Sequence, residues 1–174
     1  MKHLFSIVAL ASILLVSTKI SAQDDKSKRP SPPAAVSKHL ASGANVSINY
    51  SQPSIKGRVI GVSIEPKNGE VWRTGANDAT IFETDKAITV NGKTLPAGKY
   101  SLFALVNDGT WTIIFNKTWK QWGAYDYKMK DDVLRINASV AKAASFGEKM
   151  TFTINPEDSV HLLWGDNDVS FDLK

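Results

Sequence analysis

Tyr100-Ser101-Leu102-Phe103-Ala104-Leu105-Val106-Asn107-Asp108-Gly109-Thr110-Trp111-Thr112-Ile113-Ile114-Phe115 is the stretch from which the fold follows. Tyr100 to Val106 is almost continuously apolar, which predicts a central strand covered on both faces. Asn107-Asp108-Gly109 supplies turn residues, and Trp111–Phe115 returns as a second strand. Upstream, Ile88 and Val90 lead into Asn91-Gly92, the favoured two-residue hairpin turn because both central positions need positive φ. Val46, Ile48 and Tyr50 alternate with polar neighbours, as a half-buried strand does.

The same period of two continues downstream. Leu134, Ile136, Ala138 and Val140 share one face, with Arg135, Asn137 and Ser139 on the other. Met150, Phe152 and Ile154 alternate until Pro156-Glu157-Asp158 breaks the run. Val160, Leu162 and Trp164 follow, Asp166-Asn167-Asp168 is expected to turn, and Val169, Phe171 and Leu173 form the last face. Val140–Gly147, short and alanine-rich, is the one segment with helical character, and a loop would serve there as well. Short strands punctuated by Gly, Asn, Asp and Pro predict an all-β fold. The expectation is a single-domain antiparallel β-sandwich over residues 39–174, jelly-roll-like or barrel-like, with at most one short helix.

Ahead of it, residues 1–22 read as a signal peptide. Lys2 gives a positive start, Leu4 to Val16 is nearly all apolar, and Ile20-Ser21-Ala22 ends in a small residue. That run is too short to span a bilayer, and no later segment reaches the ~20 apolar residues needed. With no Cys in the chain there is no lipid-attachment thiol, so a periplasmic or secreted protein without a lipid anchor is expected. Cleavage leaves 152 of the 174 residues, enough for a core that needs no disulfides. Residues 23–38 carry Asp24, Asp25, Lys26, Lys28, Arg29, Pro30, Pro32 and Pro33, the composition of a disordered leader. Removing Lys2 and Lys19 takes the formal charge from +4 to +2, too weak and scattered for a nucleic-acid partner.

Two tracts could carry chemistry. In Trp72-Arg73-Thr74-Gly75-Ala76-Asn77-Asp78, Gly75 allows a turn that brings Arg73 and Asn77 to one side. Arg73 offers a planar fork for a carboxylate or phosphate, Asn77 a donor and an acceptor, and Trp72 a stacking face. The plain alternative pairs Arg73 with Asp78 or Glu70 and puts Trp72 in the core. Asn116 to Tyr127 brings Trp119, Trp122, Tyr125 and Tyr127 together with Lys117, Lys120, Gln121 and Asp126. Flat faces beside directed polar groups suit a sugar or another polar ring. The alternative is a hydrophobic lid with polar tips in water.

Catalytic motifs are missing from the sequence. Only His39 and His161 remain after cleavage, no metal-ligand spacing appears, and Gly61-Val62-Ser63-Ile64-Glu65 lacks the closing Gly of a nucleophile elbow. No phosphate-cradling Gly-rich loop is present. No catalytic residue, metal or cofactor is therefore assigned.

Glu70–Thr80, Pro96-Ala97-Gly98-Lys99-Tyr100-Ser101-Leu102-Phe103 and Gln121-Trp122-Gly123-Ala124-Tyr125-Asp126-Tyr127 recur in that order in a secreted bacterial family, which this chain resembles: domain of unknown function family 2911. Ser31-Pro32-Pro33-Ala34 and Tyr50-Ser51-Gln52-Pro53 are also similar to its opening. The resemblance implies export and a β-sandwich core, and no activity. Where family members often carry Glu after Gly-Ala-Asn, this chain has Asp78. The resemblance raises Arg73, Asn77, Gln121 and Trp122 as site candidates.

The expected function is a non-catalytic binding module for a small polar or carbohydrate-like ligand, held by Trp72, Arg73, Asn77, Asp78, Lys117, Gln121, Trp122 and Tyr125. An envelope protein–protein interaction module ranks second. A hydrolase with Asp78 or Asp126 as base and Arg73 or Lys117 as oxyanion donor ranks third.

Overall fold

The computed structural model describes residues 25–174, so the expected signal peptide lies outside the described residues. They contain eleven strands, single 3-10 turns at Lys26–Lys28 and Met129–Asp131, and no α-helix. The all-β expectation holds.

The predicted central hairpin organises the main sheet. β7 (Gly98–Asn107) and β8 (Thr110–Asn116) pair antiparallel from Ser101↔Asn116 to Asn107↔Thr110, and Asp108 and Gly109 turn the chain at φ 47° and 81°. On the far side of β7 lie β4 (Thr80–Thr84), β2 (Asn45–Ser51) and β1 (Pro33–His39), in that order; β9 (Asp132–Asn137) flanks β8. The short β3 (Val71–Trp72) takes the remaining length of β7, opposite Leu105 and Ala104. This sheet stays open rather than closing into a barrel. Two further hairpins complete the fold. β5 (Ile88–Val90) and β6 (Lys93–Leu95) join through Asn91-Gly92, both at positive φ as expected. The long β10 (Ser139–Ile154) and β11 (Ser159–Asp172) form the second.

Alternation sorts the side chains into two layers. Val46, Ile48, Phe82, Leu102, Ile113 and Phe115 point to the inner face of the main sheet. There they meet Met150, Phe152, Val160, Leu162, Trp164, Val169 and Phe171 from the β10–β11 hairpin in one core. This is sheet-on-sheet packing, the layered solution for apolar strand faces. Lys38 fastens the layers together at one end. Its Nζ lies 2.6 Å from Asp158 Oδ1 and donates to the carbonyls of Asn155 and Pro156, while Asp158 Oδ2 accepts from Ala41 N–H. Those donors, Lys38 first, hold the Asp158 carboxyl below its ordinary range. On the outer face of the sheet, Phe103 and Ile114 are buried with Ala79 beneath Ala124 and Tyr127. β7 is therefore covered on both sides, as its composition predicted.

Three local expectations fail. Residues 33–38, expected within the leader, belong to β1, which pairs with β2 from Pro33↔Ser51 to His39↔Asn45. Prolines are tolerated at the start of an edge strand, so their density masked a strand. Val140–Gly147 is strand, with Val140 opposite Val169 and Lys142 opposite Asn167. Eight residues of helix propensity are a weak preference that cross-strand pairing overrides. Asp166-Asn167-Asp168 does not turn, because β11 runs through it. Two register shifts fall instead on β10, between Lys142 and Gly147 and between Gly147 and Thr151, on either side of the Gly147↔Gly165 pair, where Gly165 has a positive φ of 62°. A bulge of this kind bends a ladder without ending it.

Candidate functional site

Arg73 is delivered by the end of β3. Val71 packs on the outer face, Trp72 turns inward, and the chain then folds back on itself. Thr74, at φ 48°, donates its hydroxyl to Leu102 O at 2.8 Å, and Thr80 donates its hydroxyl to Thr74 O at 2.8 Å. Gly75 does not supply the left-handed turn; Thr74 and Asn77 (φ 58°) do. Gly75 is needed for space instead, since a Cβ there would sit 3.0 Å from both Ser51 O and Thr80 Oγ1. Trp72 Nε1 donates to Gly75 O at 3.1 Å, closing the loop over the core.

The second tract lies directly alongside. Ala79 N–H donates to Gln121 O at 3.0 Å and Gly123 N–H to Asn77 O at 3.1 Å, so the two tracts form a short ladder. Buried Asn116 holds the tract's root, donating to Asp132 Oδ1 at 2.9 Å and to Lys128 O at 3.1 Å. Gln121 is buried, donates to Thr118 O and Ser101 Oγ, and leaves its Oε1 without a partner. Tyr127 packs edge-on against Phe103 at 5.2 Å and donates to Asp132 Oδ2 at 2.7 Å, with Arg135 Nη1 on the same carboxylate at 3.0 Å. Burial, then the Asp132 carboxylate, raise the Tyr127 phenol to about 12. Every charge in this network is answered, which makes it a fastening for the lid.

Two shallow clefts of about 280 Å³ and about 220 Å³ open beside Arg73 and share Glu65, Trp72 and Arg73 as a wall. The larger reaches Arg58 and Lys67, and the smaller is bounded by Glu70, Ala124 and Tyr125. Arg73 forms no ion pair with any described residue, and its Nε is buried without an acceptor. The pairings with Asp78 or Glu70 that would make it architectural are not formed.

The eight sequence candidates divide. Arg73 and Tyr125 converge on the clefts. Trp72 lines both yet is only 3% exposed, with Trp111 and Trp164 each 6.4 Å away between ring centres, so it serves as a floor and offers no free stacking face. Asn77 donates to Ser31 O at 3.1 Å and positions the loop. Trp122 is 52% exposed, and its backbone bridges to that of Asp78. Asp78 lines a different depression with Lys26 and Arg29, and Lys117 pairs with Asp131 at 3.2 Å. Asp78 and Lys117 therefore do not share one point with Arg73. His161 Nδ1 lies 2.8 Å from Asp168, but its Nε2 faces Asn155 Nδ2 at 3.4 Å and no hydroxyl. Among the described residues no cluster of three His, Asp or Glu is placed to hold a metal.

Sequence reasoning missed Arg58, Glu65 and Lys67. Their signal was a long segment between β2 and β3 without strand periodicity, placed just before the Trp-Arg motif; such loops are often functional.

Comparison with curated proteins and with solved structures yields no match. A family model described as protein of unknown function (DUF2911) matches residues 31–173, from just ahead of β1 to the end of the last strand, and the chain belongs to that family.

Proposed function

We propose that the protein is an exported, non-catalytic binding module that holds a small polar ligand against Arg73. One observation carries the reading, the guanidinium with a buried and unanswered Nε at the junction of two clefts. A buried donor without an acceptor costs about 1–3 kcal/mol, and an anionic acceptor on the outer nitrogens of the same guanidinium would offset part of that by answering its delocalised charge. The ladder from Asn77 to Gly123 and the packing under Tyr127 hold the surrounding loops in place, so little ordering would be lost on binding. Export rests on the signal-like residues 1–22.

The test is thermal unfolding of the purified protein against a panel of monosaccharides, uronic acids, dicarboxylic acids and amino acids, with Arg73→Met in parallel. A ligand at a hundred times its Kd adds about 2.7 kcal/mol, which for this size raises Tm by roughly 5–10 °C. At least one compound should raise the wild-type Tm, and the shift should vanish in Arg73→Met. A panel without any shift would sink the reading.

A second reading, an interaction module, is favoured by exposed Trp119, Trp122, Tyr125 and Met129 within one stretch. It expects a partner cross-linked in cells that is lost in Trp122→Ser.

A further inference from the structure

The clefts beside Arg73 are chemically lopsided. On the larger side Arg58, Lys67 and Arg73 face Glu65, three cations to one carboxylate. Glu65 is also engaged locally, its Oε2 accepting Lys67 N–H at 2.9 Å. Arg58 spends Nε and Nη2 on the carbonyls of Ile55 and Ser54, which fixes its charge at the rim. Lys67, like Arg73, has no ion pair among the described residues. The larger cleft therefore keeps a net positive charge, with Glu65 as its one carboxylate.

The smaller side differs. Tyr125 is 83% exposed, and Glu70 lines the same cleft. Gly123 joins the two sides: a Cβ built on it would lie 3.0 Å from Tyr125 Cε2 and 3.5 Å from Arg73 Nη1. The phenol ring and the guanidinium thus flank one α-carbon, close enough for a single sugar-sized ligand to touch both. A pyranose stacked on Tyr125 would present its hydroxyls to the Glu70 carboxylate and an acidic substituent to the Arg73 fork.

The backbone argues for a carboxylate over a phosphate. Phosphate sites use several free N–H groups. Here the amides of Ser63, Ile64, Lys67 and Ala76 are all donated to protein acceptors. The unpaired cations that remain are Lys67 and Arg73, and the Arg73 fork, the one beside Tyr125, takes a planar carboxylate bidentately without help from backbone amides.

We infer that the site binds an acidic sugar, a pyranose carrying a carboxylate, with the carboxylate on Arg73 and the ring on Tyr125. The inference rests on the binding-module reading above.

Isothermal titration of the full purified protein would use tri-uronates of glucuronic, galacturonic and mannuronic acid. Each is paired with its neutral hexose trisaccharide, and inorganic phosphate serves as a separate probe. At least one uronate should bind, its neutral counterpart roughly a hundredfold weaker, with affinity falling as salt rises. Arg73→Lys, which keeps the charge but loses the fork, should weaken binding about tenfold. Tyr125→Ala, at an exposed position harmless to folding, should weaken the uronate and leave any phosphate binding unchanged. Equal affinity for acid and neutral sugars would overturn the carboxylate assignment and leave the binding module standing. Phosphate binding as tightly as the best uronate would overturn the sugar. No heat with any probe, together with the silent panel above, would remove both.

Discussion

Phe103 and Phe82 form a matched pair for asking whether the outer layer exists to position the site. Both rings are fully buried, and each meets one aromatic edge, Phe103 against Tyr127 at 5.2 Å and Phe82 against Phe115 at 5.0 Å. They differ in face: Phe82 lies in the inner core, Phe103 under the Asn116–Tyr127 lid. Replacing either by Leu removes an edge contact worth ~0.5–1.5 kcal/mol and leaves a slight misfit. About 1–2 kcal/mol in total is expected for each. Over the 150 described residues an unfolding entropy of ~2.1 cal/mol/K each gives a Tm loss of about 3–6 °C for both. Native-state amide exchange separates them. In Phe103→Leu the Ala79 and Gly123 amides, which form the ladder between the tracts, should exchange about 5- to 30-fold faster than in Phe82→Leu at matched global stability. Equal exchange in the two variants would refute the claim that the outer cluster holds the site.

Tyr127 should remain un-ionised in an absorbance titration until about pH 12, and Asp132→Asn should bring it down. Because its folded value lies above the unfolded one near 10, the unfolded chain releases that proton first, and the linked stability falls as pH rises between the two. Lys38→Met should lower Tm at neutral pH by several degrees. The Asp158 carboxyl is depressed, so the pair's contribution exists above the ordinary value of 3.8 and is lost as pH falls below it; the gap between wild type and variant should close in acid. Gly75→Ala should cost about 1–3 kcal/mol by crowding Ser51 O and Thr80 Oγ1, measured by denaturant unfolding, and a neutral result would mean the loop moves freely.

What the sequence discloses is what period two and turn chemistry encode. The β7–β8 hairpin, the Asn91-Gly92 turn and the inward faces of β2 and β11 are written in adjacent residues. The strand identity of Val140–Gly147 is not, because it depends on Val169 and Asn167 across the ladder. Nor is Gly75's role legible, since the crowding atoms come from Ser51 and Thr80. The site was half visible. Arg73 and Tyr125 stand in conspicuous motifs, whereas Arg58, Glu65 and Lys67 reach the same clefts from a loop with no period. Lys117 and Asp78 share the motifs' chemistry but point elsewhere, which only three-dimensional placement reveals.

The inner layer has a consequence for the order of events during synthesis. Val160, Leu162, Trp164, Val169, Phe171 and Leu173 all come from the final stretch of the described chain, yet each seals the face built by strands hundreds of atoms earlier. A ribosome that has released residues up to Ile154 has made the whole main sheet and β10, while Val160, Leu162, Trp164, Val169 and Phe171, which complete the core over that sheet, are still missing. The nascent protein therefore stays unfinished, and visible to chaperones and proteases, until the whole of β11 from Ser159 onward has arrived. Premature termination near the end should be as damaging as termination in the middle.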